Sequence, residues 1–286
     1  MIPAEFDYVA PDSLADAVRA LSEAGEDAKV LAGGQSLIPV LRLRLSYPSV
    51  LVDLRKLDEL RGVRDDGDAL VIGAMTRHAD VVTDPLVRQH CALVAEATAT
   101  VADPAVRHLG TFGGALAHAD PAGDLAAVAV ALDAELVAEG PRGTRSIPAG
   151  EFFRDYLETA LEPDEILTQV RVPKLEGQWG VRYEKFHRVA QAWAIVGVAA
   201  AVRRSNGSIA EARIGLTNMG STPVRAHGVE ESLAGAAAES GAVREAAKRA
   251  AEGTRPPSDL NGKADYREHL ARVLTARAVS AAAGVG

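Results

Sequence analysis

The sequence predicts an α+β chain in two parts, and three observations predict it. Before about residue 176, short apolar runs of strand length alternate with helix-period runs; after it, three strand-like runs come first and the helices follow, the segregation expected of an α+β domain. A polar stretch, Lys174-Leu175-Glu176-Gly177-Gln178, separates the two patterns. Two glycine pairs, Gly33-Gly34 and Gly113-Gly114, interrupt the first part, each beside a hydroxyl residue and ahead of a helix-like run. The expected division is residues 1–176, in lobes of about 1–55 and 56–176, followed by residues 177–286.

Leu14, Ala17, Val18 and Leu21 recur at helical spacing behind Ser13, an N-cap residue with Asp16 in the first turn, and Gly25 ends that helix. Residues 28–31 read as a short strand. Ser36 stands at the N-cap of a second helix carrying Leu37, Ile38, Val40, Leu41 and Leu45, with Pro39 tolerated in its first turn. A strand over 50–54 completes a βαβ unit. Asp65-Asp66-Gly67-Asp68 is a turn before a buried strand at 69–73. Thr76 is expected to cap a short helix, Pro85 to open a longer one through Thr98, and Asp103-Pro104 to break the chain. Residues 125–132 are helical, 135–138 and 144–147 form a hairpin, and 165–172 is a strand stopped by Pro173. Beyond the linker, 181–186, 194–203 and 208–216 form an antiparallel meander, and helices follow at 224–233, 242–251 and 266–282.

Composition excludes several classes. With 286 residues, 48% hydrophobic and 24% charged, the chain has the balance of a folded protein large enough for two domains. A net charge of −8 with scattered Lys and Arg speaks against a nucleic-acid surface. No run approaches the roughly 18 apolar residues of a membrane span. The start Met1-Ile2-Pro3-Ala4-Glu5 lacks a basic, then apolar, leader, so a cytoplasmic chain is expected. Cys91 is the only cysteine, which excludes an internal disulfide and an iron–sulfur cluster held by this chain alone. It reads as a small apolar residue in one helix with Leu93 and Val94.

The glycine pairs carry the functional signal. Gly33 and Gly34 lack a Cβ, so a second body can approach the main chain closely, and the N–H groups opening the next helix favour an anion, above all a phosphate. Gly-Gly-Ser is also an ordinary tight turn into a helix. The second pair, in Gly110-Thr111-Phe112-Gly113-Gly114-Ala115, favours the phosphate reading, because two such loops could clamp one diphosphate from either side. No G-x-G-x-x-G follows a strand and no G-x-x-x-x-G-K-[ST] occurs, which disfavours Rossmann and P-loop proteins.

Ala32-Gly33-Gly34-Gln35-Ser36 and Thr111-Phe112-Gly113-Gly114, the latter followed by His118-Ala119-Asp120-Pro121-Ala122-Gly123-Asp124, resemble the two motifs of the FAD-binding subunit of the molybdenum hydroxylase family. The resemblance runs from Phe6-Asp7-Tyr8 and Pro11 to the last helices and is nearest to medium, flavoprotein subunits of the aerobic carbon monoxide dehydrogenases. It implies a two-lobed FAD-binding fold of the vanillyl-alcohol oxidase type, with non-covalently bound FAD between the lobes, and a C-terminal α+β domain. It also implies an oxidoreductase subunit with two partners, a large molybdenum-cofactor subunit that oxidises the substrate and a small subunit carrying two 2Fe-2S clusters, in a dimer of heterotrimers. Electrons would pass from those clusters through FAD to an external acceptor such as a quinone, in the cytoplasm or at the inner face of the cell membrane. Relatives acting on N-heterocycles, aldehydes or purines are the nearest alternative. A stand-alone flavin oxidoreductase and a module without cofactor are further ones.

Residue by residue, the resemblance implies that Leu31, Ala32, Gly33, Gly34, Gln35, Ser36, Leu37 and Ile38 run along the FAD diphosphate, as do Thr111, Phe112, Gly113, Gly114 and Ala115. Val101 would pack near the flavin, Asp124 would be the ribose- or diphosphate-side acid, and Leu167 and Lys185 would meet FAD from the far side. Taken without the family, Lys185 reads as a solvated lysine beside Glu184. Trp193 stands where many relatives have Tyr or Phe beside the isoalloxazine; it is a stacking indole or a core tryptophan. Ala115 replaces the usual Asn and removes one hydrogen bond, about 1 kcal/mol. No catalytic acid or base is expected, since electron transfer needs none. His118, Asp120 and Asp124, like His78, Asp80 and Asp84, do not repeat a known metal-ligand scheme, and Gly34-Gln35-Ser36-Leu37-Ile38 lacks the closing glycine of a nucleophile elbow. Gly33→Val or Gly114→Val is expected to give a folded, flavin-free protein, the branched side chain filling the diphosphate's volume.

Overall fold

Residues 2–285 are described by the computed structural model, and Asp7–Val9 (β1) is their first regular element. Leu14–Ala24 (α1) follows, its N-cap Ser13 accepting the Asp16 N–H at 3.1 Å and Gly25 closing it at φ 72°. Next come Ala28–Leu31 (β2), Leu37–Arg42 (α2) and Val50–Asp53 (β3). β3 lies between β1 and β2 and is parallel to both, so the expected βαβ unit is present with one added strand. β1 is three exposed residues at an edge, too short for the sequence to announce. Ala17, Val18 and Leu21 of α1 pack against Val52, Leu54, Leu57 and Met75. α2 stops at Arg42 rather than continuing to Leu45, because Arg44 turns to φ 57°, and Leu43, Leu45 and Tyr47 are exposed.

The second lobe contains Val63–Asp65 (β4), Ala69–Gly73 (β5), His78–Thr83 (α3), Pro85–His90 (α4), Ala92–Ala99 (α5), Pro104–Arg107 (α6), Phe112–His118 (α7) and Asp124–Ala131 (α8). Glu135–Gly140 (β6), Gly143–Pro148 (β7), Ala149–Phe152 (α9), Phe153–Asp155 (β8), Glu158–Thr159 (β9) and Ile166–Pro173 (β10) complete it. Its main sheet, β4-β5-β10-β6-β7, is antiparallel throughout. Three expectations change here. Thr76 caps nothing; its hydroxyl donates to the Gly62 carbonyl. The helix expected over 85–98 breaks at Cys91, whose φ of −139° is not helical. Asp103-Pro104 starts α6, with Asp103 as its N-cap. Cys91 is buried between α4 and α5, and burial pushes its thiol up to about 12, an unreactive state.

After the linker come Trp179–Phe186 (β11), Val196–Ser205 (β12), Ser208–Thr217 (β13) and Val224–Arg225 (β14), an antiparallel sheet in that order. His227–Leu233 (α10), Ser240–Ala247 (α11) and Ala264–Ala283 (α12) follow. The helix expected from 224 starts at His227, because Val224 and Arg225 pair with β13 instead. β12 is apolar without alternation because both of its faces are covered. Val196, Val198, Ala200 and Val202 join the helices of this part, whereas Ala199 and Ala201 join the core of the preceding lobe. Gly215 lets α8 lie against this sheet: a Cβ there would sit 2.1 Å from the Ala127 carbonyl oxygen. The C-terminal sheet is therefore a layer between α12 and α8. Among the described residues no helix is long and apolar enough to cross a membrane.

Candidate functional site

The two glycine pairs meet. A Cβ on Gly33 would lie 2.4 Å from the Leu109 carbonyl oxygen and 2.6 Å from Gly110 Cα; one on Gly114 would lie 3.3 Å from Ala32 Cβ. The strand–turn leaving β2 is thus pressed, backbone to backbone, against the segment that leads into α7. Gly34 is at φ 71°, in the left-handed region that favours glycine. The turn it makes is closed by the Ile38 N–H donating to the Gly34 carbonyl and by the Gln35 side-chain Nε2 donating to the Gly33 carbonyl at 3.1 Å.

The pairs differ in what they leave open. Among the described residues, the N–H groups of Gly34, Gln35, Ser36 and Leu37 make no hydrogen bond within the chain. Ser36 occupies the N-cap position as expected but with a helical φ of −103° and ψ of −48°, so its hydroxyl forms no cap. The second pair is no loop. Gly113 and Gly114 form the first turn of α7, and its donors are spent: Phe112 N–H on Thr76 O, Gly113 N–H on Ala74 O and Gly114 N–H on Thr111 Oγ1 at 3.2 Å. A free row of amides on one wall and a side-chain-free helix turn on the other fit a diphosphate, with the first wall supplying the hydrogen bonds. Ala115 lies in the same turn, its N–H on the Thr111 carbonyl.

His78 supports the second wall from beneath. It is buried; its N–H donates to the Gly110 carbonyl, its ring underlies Gly110, and its Nδ1 has no partner. Burial, with Arg107 nearby, lowers it to about 4. A histidine held neutral by the fold binds its proton more readily when unfolded, so its contribution is present above the ordinary value of about 6.5 and is lost as pH falls toward 4. His78→Phe is expected to remove that slope: between pH 7 and pH 4.5 the parent should lose about 2 kcal/mol that the variant keeps, read from urea unfolding at the two pH values.

Asp124 and Lys185 form one buried cluster. Their side chains are each 3% exposed, with Lys185 Nζ 2.7 Å from Asp124 Oδ2. Lys185 also donates to the Thr100 carbonyl at 3.0 Å, and the Tyr183 hydroxyl donates to Asp124 Oδ1 at 2.7 Å. The Tyr183 N–H in turn reaches Glu96, and its hydroxyl lies 3.2 Å from Thr217 Oγ1. Burial pushes the Asp124 carboxyl up, opposed by Lys185 and Tyr183, and burial beside Asp124 raises Tyr183 well above its ordinary range. The solvated reading of Lys185 is thereby corrected. The cluster ties α8, α5, β11 and β13 at one point. Tyr183 and Thr217 escaped the sequence reading; only the period of two on β11, which puts Tyr183 on the face of Lys185, pointed to the former.

Val101 follows Thr100, half-buried against the core, its carbonyl accepting from Arg107 Nη1 at 2.8 Å. Leu167 is buried in the same core at an irregularity between β10 and β6. Trp193 is 53% exposed, which excludes the core-tryptophan reading. Its ring centre is 6.5 Å from that of His118, and it borders Gly123. Asp120 lies 3.9 Å from His118 and accepts the Ala122 N–H, while Asp84 caps α4; these acids are engaged in turns and helix starts.

Known proteins resemble this chain over nearly its whole length. The family model described as the FAD binding domain in molybdopterin dehydrogenase matches residues 4–175, and that of the CO dehydrogenase flavoprotein C-terminal domain matches 181–282. The carbon monoxide dehydrogenase medium chain of Hydrogenophaga pseudoflava is 42% identical over 282 residues, 99% of this chain and 98% of that one. A solved carbon monoxide dehydrogenase of the same organism superposes with a TM-score of 0.96 at 43% identity, covering 99% of this chain and 98% of that one. Quinoline 2-oxidoreductase of Pseudomonas putida 86 superposes at 0.95 and 35%, covering 99% of each. With matches over its whole length, the chain belongs to the FAD-binding medium-subunit family of the molybdenum hydroxylases, as the flavoprotein component of an oxidoreductase.

Proposed function

We propose that this chain is the FAD subunit of an aerobic carbon monoxide dehydrogenase, relaying electrons from 2Fe-2S clusters of a small partner to an external acceptor such as a quinone. The observation that carries the flavin part is the row of open amides at Gly34 to Leu37, next to the contact that Ala32 and Gly33 make with the segment carrying the Gly113-Gly114 turn. The carbon monoxide part rests on 42% identity to a carbon monoxide dehydrogenase medium chain at full coverage. In this reading residues 1–176 are the FAD-binding domain, in lobes of about 1–55 and 56–176, and 177–286 the C-terminal flavoprotein domain. The Gly34–Leu37 amides hold the diphosphate and the Thr111–Ala115 turn closes over it. The Asp124–Lys185 pair, beside the Thr100–Val101 bend, fixes the floor, Leu167 backs it, and the Trp193 indole covers the ring system. Bound FAD would supply a two-electron store that can be filled one electron at a time. With one cysteine this chain cannot by itself hold a 2Fe-2S cluster, so the clusters that feed the flavin belong to a neighbour in this reading. Substrate oxidation belongs to a large molybdenum subunit, and the whole is a dimer of heterotrimers in the cytoplasm, at the inner face of the membrane.

The similarity to quinoline 2-oxidoreductase favours a second reading, a sister subunit serving an N-heterocycle. Anaerobic exposure of the intact complex to CO, and separately to quinoline, distinguishes them. The account expects CO to bleach the flavin in the complex and to leave the isolated, FAD-loaded chain yellow. Bleaching by quinoline alone would transfer the chain to the sister reading, and bleaching of the isolated chain by an organic substrate would make it a stand-alone oxidoreductase.

A further inference from the structure

The backbone under Trp193 is held in an unusual way. β12 begins at Val196, so the buried carbonyls of Ala194 and Ile195 fall outside the ladder and each needs a donor. The donors are side chains from distant parts of the chain. Asn218 Nδ2 donates to the Ala194 carbonyl at 2.8 Å, and Arg267 Nη1 of α12 donates to the Ile195 carbonyl. The Ile195 N–H meets the Phe186 carbonyl at 2.8 Å, closing the 187–194 excursion at its base. Above that base Val189 and Trp193 are exposed.

Both donors are placed at a cost. Among the described residues Arg267 is the largest fully buried side chain; its Nε is without a partner there, and its single carboxylate, Asp259 at 2.7 Å, is itself 43% exposed. A buried guanidinium so thinly paired is not explained by stability of the helix packing alone, where an apolar residue would serve as well or better. Asn218 sits at φ 61°, and its N–H donates to the Pro121 carbonyl at 2.8 Å. It therefore joins the turn after α7, which follows His118 and carries Asp120, to the backbone one residue from Trp193.

We infer that Arg267 and Asn218 are positioning residues that clamp the base of the 187–195 excursion and fix where the Trp193 indole stands. The inference deepens the proposed function, resting on the reading that Trp193 covers the flavin. The clamp holds the indole at the same place whether or not FAD is present, so binding does not have to order it.

The chain has two tryptophans, so Trp179→Phe leaves Trp193 as the sole tryptophan of the full-length protein, excited at the red edge of the band where the tyrosines do not absorb. In that background, Arg267→Met and Asn218→Gly remove one donor each. Glycine tolerates the left-handed backbone at 218, so Asn218→Gly keeps the fold and tests the proposal even where Arg267→Met unfolds the chain. Flavin-free Trp193 anisotropy is expected to fall in both variants at unchanged far-ultraviolet dichroism, and FAD, used as the probe, should quench Trp193 less and bind about fivefold more weakly. Parental anisotropy in Asn218→Gly, with only a lowered melting temperature, would overturn the clamp. An absence of FAD quenching in the parent would overturn the flavin-covering reading instead, and the anisotropy separates that failure from failure of the clamp.

Discussion

Gly33→Val is expected to lose FAD because it forces apart the two segments that form the site, and it should destabilise the chain as well. The sequence alone suggested a folded, flavin-free protein with the new side chain in the diphosphate's volume. The geometry corrects the cause: the first carbon of any side chain at 33 would stand 2.4 Å from a main-chain oxygen at Leu109, and backbone cannot swing away as a side-chain tip can. Overpacking usually costs about 1–3 kcal/mol, and a collision between two backbones belongs at or above the upper end. Gly33→Ala should already show it. Gly114→Ala should be milder, since the obstacles there are the Thr111 hydroxyl at 2.6 Å and the Ala32 methyl at 3.3 Å. Displacing that hydroxyl loses an N-cap worth about 1 kcal/mol. Urea unfolding together with bound FAD per chain measures both. Equal stability of Gly33→Ala and the parent would show that the segments do not touch as described.

The second large effect is expected at the buried ion pair. Lys185→Met leaves the buried Asp124 carboxylate without its cation and with the Tyr183 hydroxyl as its remaining side-chain donor, and breaking a buried pair from one side costs about 3–5 kcal/mol. Replacing both partners, as Asp124→Asn with Lys185→Met, should recover part of that loss, because no unpaired charge remains. The pH dependence has a definite sign. Burial raises the Asp124 carboxyl above its ordinary range, so protonation favours the folded state. In Lys185→Met the deficit should be largest at neutral pH and shrink as pH falls through the raised carboxyl value. Urea unfolding of the single and double variants at pH 7 and pH 5 reads all three expectations. A Lys185→Met deficit that does not change with pH would locate the loss in packing rather than charge.

Much of this was legible in the sequence where local chemistry decides the structure. Ser13, Asp16 and Gly25 mark α1 because a cap and a left-handed stop act within a few residues, and the alternation of strands and helices gave the βαβ unit. Legibility failed where distant contacts decide. Gly113 and Gly114 are poor helix formers, yet they open α7 because the Ala74 carbonyl takes the Gly113 N–H, the Thr111 hydroxyl takes that of Gly114, and Ala74 leaves no room for a Cβ at 113. Ser36 has the composition of an N-cap but not its conformation, since the turn is already closed by the Gly34 carbonyl. Lys185 looked solvated because its acid is Asp124, far back in the chain. In the sequence Trp193 is open between a stacking indole and a core tryptophan because the apolar run after it belongs to β12, covered on both faces. At the candidate site, the sequence pointed to both glycine segments, which the structure brings together, but not to their different hydrogen bonding, which depends on which amides are already bonded.

That difference is the central claim, and amide hydrogen exchange tests it most directly. Exchange is compared in the assembled complex, flavin-free and loaded with FAD. The account predicts strong slowing at the amides of Gly34, Gln35, Ser36 and Leu37, and little change at Phe112, Gly113 and Gly114, which are bonded inside the protein beforehand. Unchanged exchange at 34–37 on loading, or slowing confined to 112–114, would contradict it.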